Sequence, residues 1–197
     1  MRGPKVSGRR PVEGDEPRRV VLIGPECTGK TRLAAELSRL LEVPWSPEFA
    51  REYAEKAPGP LAYTDVEPIG RGQRAGEDAA IERARSHGAR LVVLDTDLVS
   101  TFVYSRHYYG DCPRWIERAA RERLGDLYLL HHTDVEWVAD GRLREQPERR
   151  EELFALFRGT LLALEGPTVP VRGGWEERRR CALEAIEALG SAAPVGG

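Results

Sequence analysis

The sequence predicts an α/β fold: three layers, with a parallel sheet between two layers of helices. Three observations carry this. Short apolar runs at Arg19–Ile23, Leu91–Asp95 and Leu127–His131 lack polar alternation, as strands covered on both faces do. Between them lie segments with helical spacing of apolar residues, such as Leu153, Phe157, Leu161 and Leu164. The two kinds alternate along the chain, which is the pattern of a parallel sheet.

Taken in order, residues 1–18 are rich in Arg, Pro, Gly and Glu without apolar periodicity and read as a flexible arm. The ordered domain is expected over 19–190 and a loose tail over 191–197. After the first strand a helix is expected from Thr28, with Leu33, Leu37, Leu40 and Leu41 on one face. Val43–Ser46 is a second strand, with Pro44 suited to its start. Glu48–Lys56 is helical and ends at Pro58-Gly-Pro60. A long polar helix runs from Asp65 to His87, stopped by Gly88. Helices are expected at Leu98–Tyr109 and Pro113–Leu124. Gly141–Pro147 is a charged loop, Thr168–Val171 the last strand, and Ala182, Ile186 and Leu189 stripe the final helix.

The 197 residues suit one domain, and 41% hydrophobic content is enough for a sizeable core. A net charge of −2 argues against coating of nucleic acid or a polybasic membrane binder, so neither partner is expected. No apolar run is long enough to span a bilayer. Three scattered cysteines and no export signal read as a reduced, cytoplasmic protein. Adjacent His131 and His132 point to opposite faces of a strand, which argues against a shared metal. Nothing in the sequence fixes an oligomeric state.

Parallel sheets bind ligands beyond the carboxyl ends of their strands. Gly24-Pro-Glu-Cys-Thr-Gly-Lys-Thr31 stands there, and fits G-x-x-x-x-G-K-[ST] at every fixed position. Gly24, Pro25, Glu26, Cys27, Thr28 and Gly29 can curl around phosphate, with Cys27 serving as a spacer. Lys30 reaches the β- and γ-phosphates of ATP, and Thr31 offers a hydroxyl to Mg²⁺. Lys30 is one of only three lysines among 30 basic residues, which gives its position added weight. Asp95, at the end of Leu91-Val-Val-Leu94, completes the metal side. These features predict a P-loop NTPase.

Candidate residues for a phosphate acceptor follow other strands. Glu26 could bind a sugar hydroxyl or point to water. Glu48, Arg51 and Glu52 share a helix face, as an acceptor site or a surface ion-pair set. Asp97 could face the site beside Asp95 as the base, with Glu48 the alternative. Tyr104 and Tyr108 share a face that could stack on a planar ring or pack in the core. Arg142, Arg144, Arg149 and Arg150 lie in the charged loop. A mobile lid there could bring guanidinium groups onto the transferring phosphoryl group.

In combination these segments resemble the ribosylnicotinamide kinase domain of the NadR proteins and the wider NadR-like P-loop family. The likeness rests on GPECTGKT, PEFAREY, GQR at Gly72–Arg74, LDTD at Leu94–Asp97, TDVEWVADG at Thr133–Gly141, LRE and PERRE. It covers about residues 19 to 188. It implies a nucleoside-monophosphate-kinase-like fold with a lid, and ATP-dependent phosphorylation of nicotinamide riboside. One extra residue in the lid makes Arg144 a better match than Arg142. NadR proteins carry an adenylyltransferase domain before the kinase, and some a DNA-binding domain. With a short arm before the P-loop here, neither activity is expected. A kinase of another small nucleoside and a nucleotide-dependent switch remain alternatives.

Overall fold

In the computed structural model, residues 16–136 and 149–191 are described. Strand β1 (Arg18–Ile23) lies at the middle of a five-stranded parallel sheet. The others are β2 (Trp45–Ser46), β3 (Leu91–Asp95), β4 (Leu127–His131) and β5 (Thr168–Val171), in the order β2-β3-β1-β4-β5. The register sets Val21 beside Leu94 and Leu22 beside Leu129, so the carboxyl ends of the three central strands form one edge.

Why the strands read as unbroken apolar runs is plain from their two faces. Val21, Ile23, Val92, Leu94, Tyr128 and Leu130 pack to one side. There they meet α3 (Val66–His87), α4 (Leu98–Tyr109) and α6 (Arg150–Ala163), through residues such as Ala80, Val99 and Phe157. Val20, Leu22, Val93, Leu127 and Leu129 pack to the other, against α1 (Lys30–Leu41) and α7 (Trp175–Ser191). Each fully buried Leu or Val stabilises by roughly 1.5–3 kcal/mol. Two shorter helices, α2 (Phe49–Lys56) and α5 (Arg114–Glu122), flank α3 and α4.

The layered α/β reading holds, as does the order of elements. Several details differ; the strand expected over Val43–Ser46 forms only over Trp45–Ser46, and the helix expected over Pro113–Leu124 spans Arg114–Glu122. Helix α1 starts at Lys30, because Gly29 takes a left-handed φ of 83° and keeps the chain in the loop until then. Leu40 is exposed, since the buried stripe of α1 passes through Leu33, Ala34 and Leu37. Strand β1 begins at Arg18, paired with Leu91, and α7 ends at Ser191. Both lie one residue outside the expected domain bounds. The charged loop at Gly141–Pro147, with Arg142 and Arg144, falls outside the described residues. Among the described residues no helix is long and apolar enough to cross a membrane.

Candidate active site

The phosphate loop joins β1 to α1 at the carboxyl edge of the sheet. Gly24 has φ 132°, and a Cβ there would stand 2.8 Å from the His131 carbonyl oxygen, so β4 closes on a backbone with no room for a side chain. Cys27, expected as a spacer, has a left-handed φ of 54°. The Thr28 hydroxyl donates to the Pro25 carbonyl at 2.9 Å, and Lys30 Nζ donates to the same oxygen at 2.7 Å. The lysine is therefore folded back over the loop that it would serve, buried on the first turn of α1.

The loop is braced from behind by His131, which entered the sequence reading only in the argument against a shared metal, and by Arg178, for which it assigned no role. His131 Nδ1 lies 3.0 Å from the Thr28 carbonyl. A carbonyl accepts only, so Nδ1 carries the proton, and burial lowers the imidazole pKa to about 3, leaving the ring neutral. Arg178, on α7 and 1% exposed, reaches the same carbonyl with Nη1 at 3.3 Å. Its Nε donates to Gly173 O at 2.8 Å, and Nη2 to the His132 carbonyl at 3.3 Å and to Asp134. Arginines are abundant in this chain, so composition gave no signal for this one. Its position on the buried face of the last helix did.

Asp95 sits next to this loop, fully buried, and among the described residues neither of its carboxylate oxygens makes a hydrogen bond of good geometry. Burial raises its pKa, while the nearby Thr31 hydroxyl, Lys30 and Arg51 oppose the rise. An orphaned carboxylate beside a hydroxyl suits a hard divalent cation. Asp95 and Thr31 thus fit Mg²⁺. Among the described residues no group of three or more His, Cys, Asp or Glu could hold a metal. Such a site would draw its remaining ligands from water and phosphate.

A cleft of roughly 820 Å³, counting solvent at its mouth, opens beside Lys30 and Glu48. Glu26, Arg51, Tyr104 and Tyr108 line it too, so most of the expected acceptor residues converge. Tyr104 and Tyr108 lie parallel, with centroids 6.0 Å apart and planes 5° from each other. The Tyr108 hydroxyl donates to Glu26 Oε1 at 3.2 Å, so Glu26 turns toward the cleft wall. Glu48 Oε2 lies 3.9 Å from Arg51 Nη2. Burial, then the Asp95 charge, push the Glu48 carboxyl up to about 7, against the pull of Lys30 and Arg51.

Asp97 does not join them, which corrects the reading of it as base and acceptor ligand. It caps α4: Oδ1 accepts from the N–H groups of Val99 at 2.9 Å and Ser100 at 3.3 Å. Oδ2 accepts from the Tyr128 hydroxyl at 2.7 Å, under the sheet edge. The intervening Thr96, with φ 69°, twists the chain so that Asp95 and Asp97 are not strand neighbours on one face. Of the lid arginines, Arg149 forms a bidentate pair with Glu152 at 2.9 and 3.0 Å and approaches His107 Nδ1 at 3.4 Å. That puts it against α4, whose Tyr108 packs on His107 and lines the cleft. Arg150 is buried and donates to Val135 O at 3.3 Å.

Comparison with known proteins is consistent with this geometry. The family model described as AAA domain, AAA_28, matches residues 19–178. The trifunctional NAD biosynthesis/regulator protein NadR of Escherichia coli K12 is 28% identical over 128 residues. That match covers 63% of this chain and 30% of the relative, so the chain spans under a third of that protein. A crystal structure of NadR protein in complex with NR superposes with TM-score 0.75 at 25% identity, over 93% of this chain and 55% of that one. Thymidylate kinase from Ehrlichia chaffeensis shares the fold, with TM-score 0.64 at 15% identity over 87% of this chain and 98% of its own. The sheet order, the phosphate loop and these matches agree on a P-loop NTPase fold of the nucleoside-monophosphate-kinase type, and the chain belongs to the NadR-like AAA_28 family.

Proposed function

We propose that this chain is a small-molecule kinase that transfers the γ-phosphoryl group of ATP to a hydroxyl of nicotinamide riboside, giving nicotinamide mononucleotide. The observation that carries the reading is the convergence of Glu48, Asp95 and Lys30 beside a cleft walled by Tyr104 and Tyr108. A loop that only bound nucleotide would have no use for a desolvated carboxylate and paired tyrosines in the cleft beside it.

Lys30 and the main chain of Gly24–Thr31 hold the donor phosphates. Asp95 and Thr31 would hold Mg²⁺, which shields the charge of the β- and γ-phosphates when bound. Glu48, with its pKa near 7, accepts the proton of the acceptor hydroxyl as that oxygen bonds to phosphorus and ADP leaves. Glu26, held by Tyr108, and Arg51 orient the sugar. Tyr104 and Tyr108 flank the ring. Arg144 and Arg149 act from the lid on the charge of the moving phosphoryl group and exclude water.

The test is an ADP-release screen over nucleosides with each product identified by mass. Formation of nicotinamide mononucleotide supports the reading. Efficient phosphorylation of a different nucleoside alone would reject the substrate and keep the chemistry. ADP release indifferent to every acceptor would favour a nucleotide-dependent switch.

A further inference from the structure

Gln73 lines the cleft, and at 2% exposure its polar end would pass for an acceptor ligand. Its amide is already occupied by main chain. Oε1 accepts from the Phe49 N–H at 3.1 Å, and Nε2 donates to the Thr96 carbonyl at 3.1 Å. An N–H cannot accept and a carbonyl cannot donate, so these two partners fix which way round the amide stands. Nε2 also lies 3.4 Å from Glu77 Oε1.

The two clamped residues are informative. Phe49 directly follows Glu48, and Thr96 directly follows Asp95. One side chain of α3 thus joins the backbone beside the expected base to the backbone beside the expected metal ligand. Thr96 has the left-handed φ of 69°, which a β-branched residue resists. Such conformers persist where neighbours over-determine them. Here the Thr96 N–H donates to Leu22 O at 3.0 Å, and Gln73 holds the carbonyl. Helix α3 comes close enough because it carries small residues: a Cβ on Gly72 would fall 2.1 Å from the Phe49 ring, and one on Gly76 2.9 Å from Ser46 Oγ.

We propose that Gln73 is a positioning residue whose amide clamps the Phe49 N–H to the Thr96 carbonyl, holding Glu48 and Asp95 in register across the cleft. Each polar atom of the amide already holds a main-chain partner, so its role here is to position the two strand-end segments. The kinetic consequence rests on the phosphoryl-transfer reading; the structural one does not.

Gln73→Met keeps the length and removes both bonds. In the free protein, amide hydrogen exchange at Phe49, whose N–H loses its acceptor, should accelerate about tenfold or more while the sheet core, with the Thr96 N–H still on Leu22 O, stays protected. Unchanged exchange at Phe49 would overturn the clamp, whatever the protein's activity. If the wild type phosphorylates no nucleoside, the kinase reading fails and exchange alone decides the clamp. With an acceptor in hand, kcat should fall roughly 10- to 100-fold, as misplacement near 1 Å does, with acceptor KM within about threefold. A raised acceptor KM at unchanged kcat would make Gln73 a substrate ligand and overturn the proposal. Adding Thr96→Gly, which adopts the left-handed φ without strain, should restore at least about threefold of the lost kcat. No restoration also counts against it. Gln73→Asn, polar but one methylene short of spanning both partners, gives the same readings should Gln73→Met not fold.

Discussion

The Tyr128 hydroxyl donates to Asp97 Oδ2 at 2.7 Å while accepting from the Gly125 N–H at 3.0 Å. With Oδ1 capping α4, Asp97 is a structural acid under the sheet edge. Asp97→Ala removes a helix cap, at about 1 kcal/mol, and strands a buried hydroxyl, at about 1–3 kcal/mol. Urea unfolding should show a loss of about 2–4 kcal/mol, while the folded fraction retains most of its turnover. Loss of transfer in an Asp97→Ala protein as stable as the wild type would return Asp97 to the chemistry.

Glu48→Gln should have the opposite profile. The amide cannot take a proton, so kcat should drop about 10²–10⁴-fold with ATP affinity nearly unchanged. In the wild type, kcat/KM should climb with pH through about 7, because the carboxyl must be ionised to act and its pKa lies there. Stopped assays from pH 5 to 9 check both. A pH-independent rate over that window would move the base elsewhere.

Glu77 gives a stability signal separate from catalysis. It is buried on α3, facing Asp97, with Arg123 Nη2 at 3.7 Å and Gln73 at 3.4 Å. Burial, then the Asp97 charge, raise its pKa from 4.5 to about 8. The folded state therefore holds a proton that the unfolded chain releases above about 4.5. The stabilisation is complete below that pH, declines as pH rises, and is lost by about 8. Asp97, raised to about 6 by burial, adds to the same slope. Glu77→Gln mimics the protonated form. Thermal melts should show it more stable than the wild type at pH 8, by at least about 1 kcal/mol, and nearly equal at pH 5. Equal melting curves at both pH values would count against a protonated Glu77.

The phosphate loop was legible because its spacing is dictated by a tight backbone path, and Gly24 and Gly29 do take left-handed φ values. The buried strands were legible because both faces are apolar. The place of Asp97 was not. Two residues after a strand end share a face only while the chain stays extended, and Thr96 breaks that path with φ 69°. Nor could spacing reveal Gln73 as a clamp, since its partners Phe49 and Thr96 are 24 and 23 residues away along the chain. Glu48 was legible as a candidate, but its preference over Asp97 needed the cleft. The sequence also favoured Leu40 as core, where helix α1 has already turned that position to solvent.

The brace behind the phosphate loop leads to the last prediction. Arg178 serves Thr28 O, Gly173 O, the His132 carbonyl and Asp134 at once, and Asp134 Oδ2 accepts from the Gly173 N–H at 2.6 Å. A planar fork can meet partners in several directions; an ammonium at the end of a flexible stem cannot, so lysine is a poor substitute. Arg178→Lys should cost about 1–3 kcal/mol in urea unfolding, because the buried Thr28 carbonyl and the His132 carbonyl lose their guanidinium donors. Among the described residues Thr28 O would keep only the His131 donor, so the loop should bind ATP about threefold more weakly, a cost under 1 kcal/mol. Asp134→Asn acts on the same network, so the two changes should be non-additive, with a coupling energy of about 0.5–3 kcal/mol. A double mutant whose stability is the simple sum of the single effects would show that Arg178 and Asp134 act independently. The brace would then be only packing.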